Sequence, residues 1–352
     1  MNQIKNSNIE LLRIISMIMI IALHILNQGL FLSNSVLLSS KYNVLWSVEI
    51  AFYCAVNLFA LITGYIYVKK EKVSLRSLFL LWLQVVFYTL GIFFIFLIIS
   101  PEVLTIKDFI KSCFPILFNQ YWYVTAYFGM YLFIPYINRL IKSFSKKEFK
   151  KLLFILVIVF SIIPTIVPTD IFSINYGYST AWLVVMYFIG AYIGRFKEEF
   201  LKISKLKSFI IYLLSVGFVV GFKLTMETAT LKILGKPILG DYILSYTSIF
   251  IVISSVALFI FILNLKINKK LVKLINNTGK LSFGVYLIHT NPLFFSLVWP
   301  KLFSKFVNLN LTKTLCVIVC MAILVFIIGI TIEWFRTKLF KILKINKIIN
   351  KI

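Results

Sequence analysis

The sequence has little acid, little histidine and few cysteines. Of its 352 residues, 12 are Asp or Glu and only two, His24 and His289, are histidine. Two histidines exclude a multi-histidine metal centre, and no metal is expected. Cys54, Cys316 and Cys320 fall in apolar runs and Cys113 in a short loop, and none has zinc-ligand spacing with a histidine. Charged residues make up 14% of the chain, against about 25% in a soluble domain. No Gly/Ser linker and no internal repeat is visible, and the composition excludes disorder, collagen and a disulfide scaffold. What is abundant is apolar: 61% of the residues, including 35 Phe, with a mean hydropathy of +0.96. A soluble fold has no means of covering that much apolar surface. Only helices and closed barrels satisfy their backbones in lipid, and runs of about 20 apolar residues select helices. The expected fold is all-α, a polytopic membrane helix bundle.

The apolar runs predict about ten transmembrane helices: 9–28, 44–68, 75–99, 117–138, 151–168, 180–194, 208–226, 243–265, 281–300 and 314–335. The fifth and sixth have the weakest patterns, and Asn119–Trp122 reads as a bent or re-entrant entry to the fourth. The first run is too long for a signal peptide and lacks a small-residue cleavage site, so it reads as a retained helix. The formal net charge of +25 would suggest nucleic acid in a soluble protein. In a membrane protein it reports topology instead, and no nucleic-acid partner is expected. With an even number of spans and both termini cytoplasmic, 28 of the 37 Lys and Arg residues fall in inner segments and 9 in outer ones. Residues 1–335 then form a membrane domain. Residues 336–352 form a tail in which Leu339, Ile342, Ile345, Ile349 and Ile352 alternate with lysines, as in a basic amphipathic helix on the inner leaflet.

Ionisable residues inside spans are costly and point to function. Arg13 and His24 are eleven residues apart, so they share one helix face at a separation of about 16 Å. Two readings fit each. Arg13 snorkels to lipid phosphates or clamps an anion; His24 bonds a neighbouring helix or transfers protons. Glu49 enters the second span at a depth close to that of His24. It either faces outer water or orients the imidazole and stabilises its protonated form. Trp46, Glu49, Tyr53 and Asn57 recur at three and four and give one polar-aromatic face. Ser282, Tyr286 and His289 share another face, which Pro292 then bends or ends. His289 there contacts a ligand or bonds freed carbonyls. Glu333 and Arg336 read as a structural i,i+3 pair. Tyr121, Trp122 and Tyr123 fit an interfacial aromatic belt or a platform for a sugar.

Four segments in order resemble acyltransferase family 3 membrane proteins. NIELLRIISMIMIIALHI is similar to the family's first helix, with Arg13 and His24 carrying its Arg-x10-His spacing. AVNLFALITGYIYVKK is similar to the second-helix segment ending in Ser-Gly-Tyr/Phe, with Thr63 in place of Ser. NQYWYVTAYFGMYLFIPYIN resembles the Trp-Tyr segment ending in Pro. GKLSFGVYLIHT resembles the late Gly-x-x-Ser-x-x-x-Tyr-x-x-His element. The resemblance implies a bacterial plasma-membrane O-acyltransferase. It would move an acyl group, usually acetyl, from cytoplasmic acyl-CoA to a hydroxyl of a surface glycan or lipid-linked sugar. Some members carry an extracytoplasmic hydrolase-like domain. Without one, the chain is expected to act alone or pass its acyl group to a separate protein. Arg13 would clamp the CoA phosphates. His24 would serve as base or acyl carrier, and Glu49 would orient it. Tyr53, Asn57, Trp122, Tyr123, Tyr286 and His289 are the expected substrate contacts. The competing class is a multi-span transporter or exporter of a polysaccharide or lipid-linked sugar, with the histidines as a proton relay. A transporter is expected to show paired broken helices, and only Pro292 marks one. The sequence leaves the oligomeric state open.

Overall fold

The computed structural model of the chain describes residues 7–70, 72–167 and 169–345. Among them every regular element is helical: α1 (Ser7–Gln28), α2 (Ser40–Phe52), α3 (Ala55–Tyr67), α4 (Leu75–Ile99), α5 (Ile106–Cys113), α6 (Trp122–Ser143), α7 (Lys146–Val157), α8 (Ile163–Ile166), α9 (Thr180–Arg195), α10 (Lys197–Leu201), α11 (Lys205–Leu234), α12 (Ile249–Leu263), α13 (Lys269–Gly279), α14 (Ser282–His289), α15 (Trp299–Phe303) and α16 (Leu311–Ile342). Six helical runs are long and apolar enough to cross a bilayer. They are α1, the 28-residue α2–α3 run with a turn at Tyr53–Cys54, α4, the Lys146–Ile166 run joining α7 to α8 through a π-helical turn, α11 and α16.

The other four expected spans are helical but differ in kind. With 16 and 15 residues, α9 and α12 reach only about 24 Å at 1.5 Å per residue. Protein surrounds them, so a full hydrocarbon length is not required. Four tyrosines lower the hydropathy of α6, which begins at Trp122 rather than 117 because residues 115–121 form turns around Asn119 (φ 49°). The ninth segment breaks as its proline predicts. It leaves α14, a π-helical turn at Phe294–Val298 and α15.

Burial sorts the helices into two tiers. The spanning windows of α1 and α2–α3 are 67% and 61% buried, whereas those of α16 and Lys146–Ile166 are 22% and 17% buried. The inner tier is α1, α3, α9 and α12, with Trp182 and Tyr187 of α9 fully enclosed. α3 and α9 approach backbone to backbone. A Cβ at Gly64 would run into the Tyr187 carbonyl, and one at Gly190 into that of Leu61. Gly190 and Gly194 are spaced as in a small-xxx-small seam, which lets helices close without an apolar driving force.

Two expectations change. Lys223 counts as an outer-loop cation by sequence, but α11 continues to Leu234 and Lys223 is 1% exposed. Its Nζ meets Glu227 at 2.7 Å and Asp241 at 2.8 Å, and lies 3.6 Å from the centre of a Trp46 ring. A buried cation needs that set of partners. At the other end, α16 runs unbroken through Ile342, so residues 336–342 extend the last helix. Lys5 and the tail from residue 346, including Ile349 and Ile352, lie outside the described residues.

The seam makes a direct prediction. Gly64→Val destabilises the purified chain in detergent by about 2 kcal/mol or more, because neither backbone can retreat. Gly91→Val, on a glycine with open space around it, leaves the thermal midpoint near wild type.

Candidate active site

A cavity of about 870 Å³ runs inside the bundle along α1, touching Arg13, Met17, Ile20, Leu23, His24, Asn27 and Gln28. Fifteen residues of helix separate its first and last α1 contacts, a length of about 22 Å. One end carries Arg13, Gln84, Lys280 and Ser282; the other carries His24, Glu49, Tyr53, Trp122, Tyr178 and Tyr246. The 3.6-residue period of α1 puts Arg13 and His24 on this one wall, as their spacing predicts.

His24 does not sit alone. Its Nδ1 lies 3.1 Å from Nε2 of His289, and the Nδ1 of His289 lies 2.7 Å from the Val285 carbonyl oxygen. A carbonyl only accepts, so Nδ1 of His289 carries the hydrogen, and Nε2 of a neutral ring is then an acceptor. It follows that Nδ1 of His24 donates to it, which leaves Nε2 of His24 as a bare lone pair. The only hydrogen bond of the His24 ring among the described residues is the one from Nδ1, and His24 lines the cavity. Phe295 packs edge-on against the ring at 4.9 Å. At the end of α14, the His289 carbonyl accepts from Nε1 of Trp299, the first residue of α15, at 3.1 Å.

This pairing corrects the expected role of Glu49. No hydrogen bond joins Glu49 to His24 among the described residues. Instead Oε1 of Glu49 accepts from Asn27 Nδ2 at 2.8 Å. Asn27 is the next polar residue on the α1 wall, one turn beyond His24, and it intercepts the carboxylate. Glu49 is 4% exposed, and its Oε2 has no partner among the described residues. The hydroxyls of Tyr123 and Ser282 are likewise enclosed without a partner among the described residues, and both residues line the cavity. Three such atoms, from α2, α6 and α14, are unused polar contacts along the cavity, which buried groups rarely leave unmet.

The remaining expected residues divide. Tyr53, Trp122, Tyr123 and Tyr286 line the cavity, whereas His289 and Asn57 stand behind its wall. Asn57 is fully buried; it accepts from Trp182 Nε1 at 2.9 Å and donates to the Tyr246 carbonyl at 2.9 Å. It braces an aromatic box in which Tyr53 stacks on Tyr246 at 4.6 Å and Trp122 meets Tyr178 at 4.5 Å. With both polar ends occupied, Asn57 is a brace and not a contact. Tyr121 leaves any belt role too: it is 2% exposed and donates to the Leu287 carbonyl at 2.9 Å, tying α6 to α14.

At the Arg13 end, Arg13 NH1 pairs with Glu10 at 3.2 Å and the side chain remains 29% exposed. The Glu333–Arg336 pair forms as expected at 2.6 Å, and Glu333 also accepts from Gln84 and from the Tyr88 hydroxyl. It therefore holds α4 against α16 behind this end of the cavity.

Sequence reading missed Asn27, Gln84, Lys280, Tyr178 and Tyr246 as lining residues. Asn27 had a signal, a polar side chain one turn past His24 in an apolar helix. Lys280 had one too, inside the GKLS segment. Tyr178 and Tyr246 come from connections whose course no periodicity reports.

Comparison with curated proteins and with solved structures finds no match. A protein-family model described as an acyltransferase domain matches residues 6–334. That match spans α1 to α16 and contains both ends of the cavity and both histidines, so the chain belongs to acyltransferase family 3 and is a membrane acyltransferase.

Proposed function

We propose that the chain transfers an acyl group, most simply acetyl, from acyl-CoA to a hydroxyl of a cell-surface or cell-wall glycan in the bacterial plasma membrane. The observation that carries this reading is the bare Nε2 of His24, held in one tautomer by His289 and opening on a cavity with a cation at its far end. Ten spans with both termini cytoplasmic turn the Arg13 end inward, in line with the distribution of basic residues. Arg13 and Lys280 then meet the donor phosphates, and the pantetheine arm lies along the α1 wall toward His24. The aromatic box at the Glu49 end offers ring surface to a sugar, and Glu49 Oε2 accepts from one of its hydroxyls.

The chemistry follows from the thioester being already activated. His24 Nε2 takes the proton of the acceptor hydroxyl, and the oxygen attacks the thioester carbonyl carbon. The Tyr123 hydroxyl, a cavity-lining donor without a partner among the described residues, would stabilise the oxyanion. Collapse breaks the C–S bond, and the proton on His24 passes to the departing thiolate. The products are an ester and free CoA. His24 Nε2 is equally the atom that would carry the acyl group in a two-step route, and CoA release without acceptor distinguishes that route.

The test of the reading is glycan acetyl content, by NMR, in a deletion strain complemented with wild type or His24→Ala at equal membrane levels. Acetyl lost in the deletion and restored only by wild type is the expected outcome. Acyl groups unchanged by the deletion, with uptake or export of a glycan lost instead, would move the transporter reading ahead. In a purified assay His24→Ala lowers transfer by about 10²–10⁴-fold. His289→Ala lowers kcat by roughly tenfold or more with KM little changed, and His289→Gln, whose amide oxygen accepts from His24 Nδ1, recovers part of it. Nitrogen chemical shifts of His24 report the tautomer directly, and a merely structural His289 would leave them unmoved. Arg13→Ala raises KM for acyl-CoA about tenfold with a smaller effect on kcat, as the loss of one charge-assisted contact requires.

A further inference from the structure

A second cavity of about 550 Å³ lies where α3, α6 and α9 end, and it shares no lining residue with the first. Its wall holds Lys69, Lys70, Lys72, Arg139, Lys142 and Arg195, and among the described residues it contains no carboxylate. Glu71 lies outside the described residues. The floor is built rather than loose. Buried Asn138 donates to the Tyr67 and Lys70 carbonyls at 2.8 and 2.7 Å and accepts from the Tyr187 hydroxyl at 2.8 Å, which holds the turn after α3 in place. Half-buried Arg195 donates to the carbonyls of Ile141 and Phe144, closing the end of α6. The Lys70 ammonium sits 4.0 Å over the Tyr67 ring. Lys69, Lys70, Lys72 and Arg139 have no carboxylate partner among the described residues.

The surface beside the cavity indicates the ligand. On α6, Leu132, Phe133, Tyr136 and Leu140 are all exposed. Their spacing gathers them within about 100° of one helix face, and Arg139 stands at the foot of the same face. A soluble phosphate compound has no use for such a stripe; a lipid has, with its acyl chains along α6 and its headgroup among the cations. We propose that this cavity binds the phosphate headgroup of an anionic membrane phospholipid, at a site separate from the acyl-transfer cavity. Basic pockets between helices near the cytoplasmic surface have the chemistry for this.

The experiment uses the full chain in detergent, with native mass spectrometry and titration of phosphatidylglycerol or cardiolipin against phosphatidylcholine. Wild type retains the anionic lipid and not the zwitterionic one. Each cation removed weakens retention about fivefold, so K69Q/K72Q/R139Q loses roughly a hundredfold. K269Q/K270Q/K273Q removes the same charge from α13 and binds as wild type. The triple variant should melt at the wild-type temperature in phosphatidylcholine; where it does not, R139Q alone is scored for its fivefold loss. Retention by K69Q/K72Q/R139Q equal to wild type overturns the site. Displacement of the lipid by millimolar inorganic phosphate or free CoA overturns the lipid assignment and makes this a site for soluble phosphates.

Discussion

Two neutral imidazoles 3.1 Å apart, one of them against a carbonyl oxygen, have one consistent way to share their hydrogens, and the chemistry of the site follows from it. The Val285 carbonyl decides the tautomer of His289, and His289 decides that of His24. With both rings neutral, the pair needs no counter-ion where a lone charge would be expensive. A carboxylate against His24 would instead have favoured the imidazolium, which has no lone pair to offer. The structure keeps Glu49 on Asn27 and so keeps acid and base apart on one wall.

Around this pair the bundle separates rigidity from space. The α3–α9 seam closes with no room for a methyl group, while the cavity stays open along α1. The Thr63-Gly64-Tyr65 segment serves both demands. Thr63 lines the cavity, Gly64 admits α9, and Tyr65 packs edge-on against Phe259 of α12. A residue with a side chain at 64 would push the wall into the cavity it supports.

Much of the architecture was legible as apolar length. α4 runs from Leu75 to Ile99, the bounds its hydropathy predicts, because Ser74 caps one end and Ser100–Pro101 stops the other. The Arg13–His24 wall was legible because one helix carries both residues and its period is known. Contacts between distant helices were not. His24 and His289 are 265 residues apart, and nothing local to either names the other. Asn57 misled for a related reason: its period places it beside Tyr53, but the partners that occupy it, Trp182 and the Tyr246 carbonyl, come from elsewhere. Lys223 was misplaced because a lysine inside a long helix reads as the end of a span until its counter-ions are seen.

The buried carboxylates differ in where their partners come from, and the difference bears on how the chain enters the membrane. Glu10, Glu227 and Glu333 each pair with a cation three or four residues away on their own helix. Such a helix brings its counter-ion with it and can leave the translocon as a locally neutral segment. Glu49 and His24 have no such companion. Glu49 depends on Asn27, which is synthesised before it, whereas His24 depends on His289, which emerges near the end of translation. Helix-local pairing thus covers the charges that must survive insertion, and the group that does chemistry acquires its partner only when the bundle closes. A chain interrupted before α14 would carry its inner helices and most of its cavity wall but lack the base in working form.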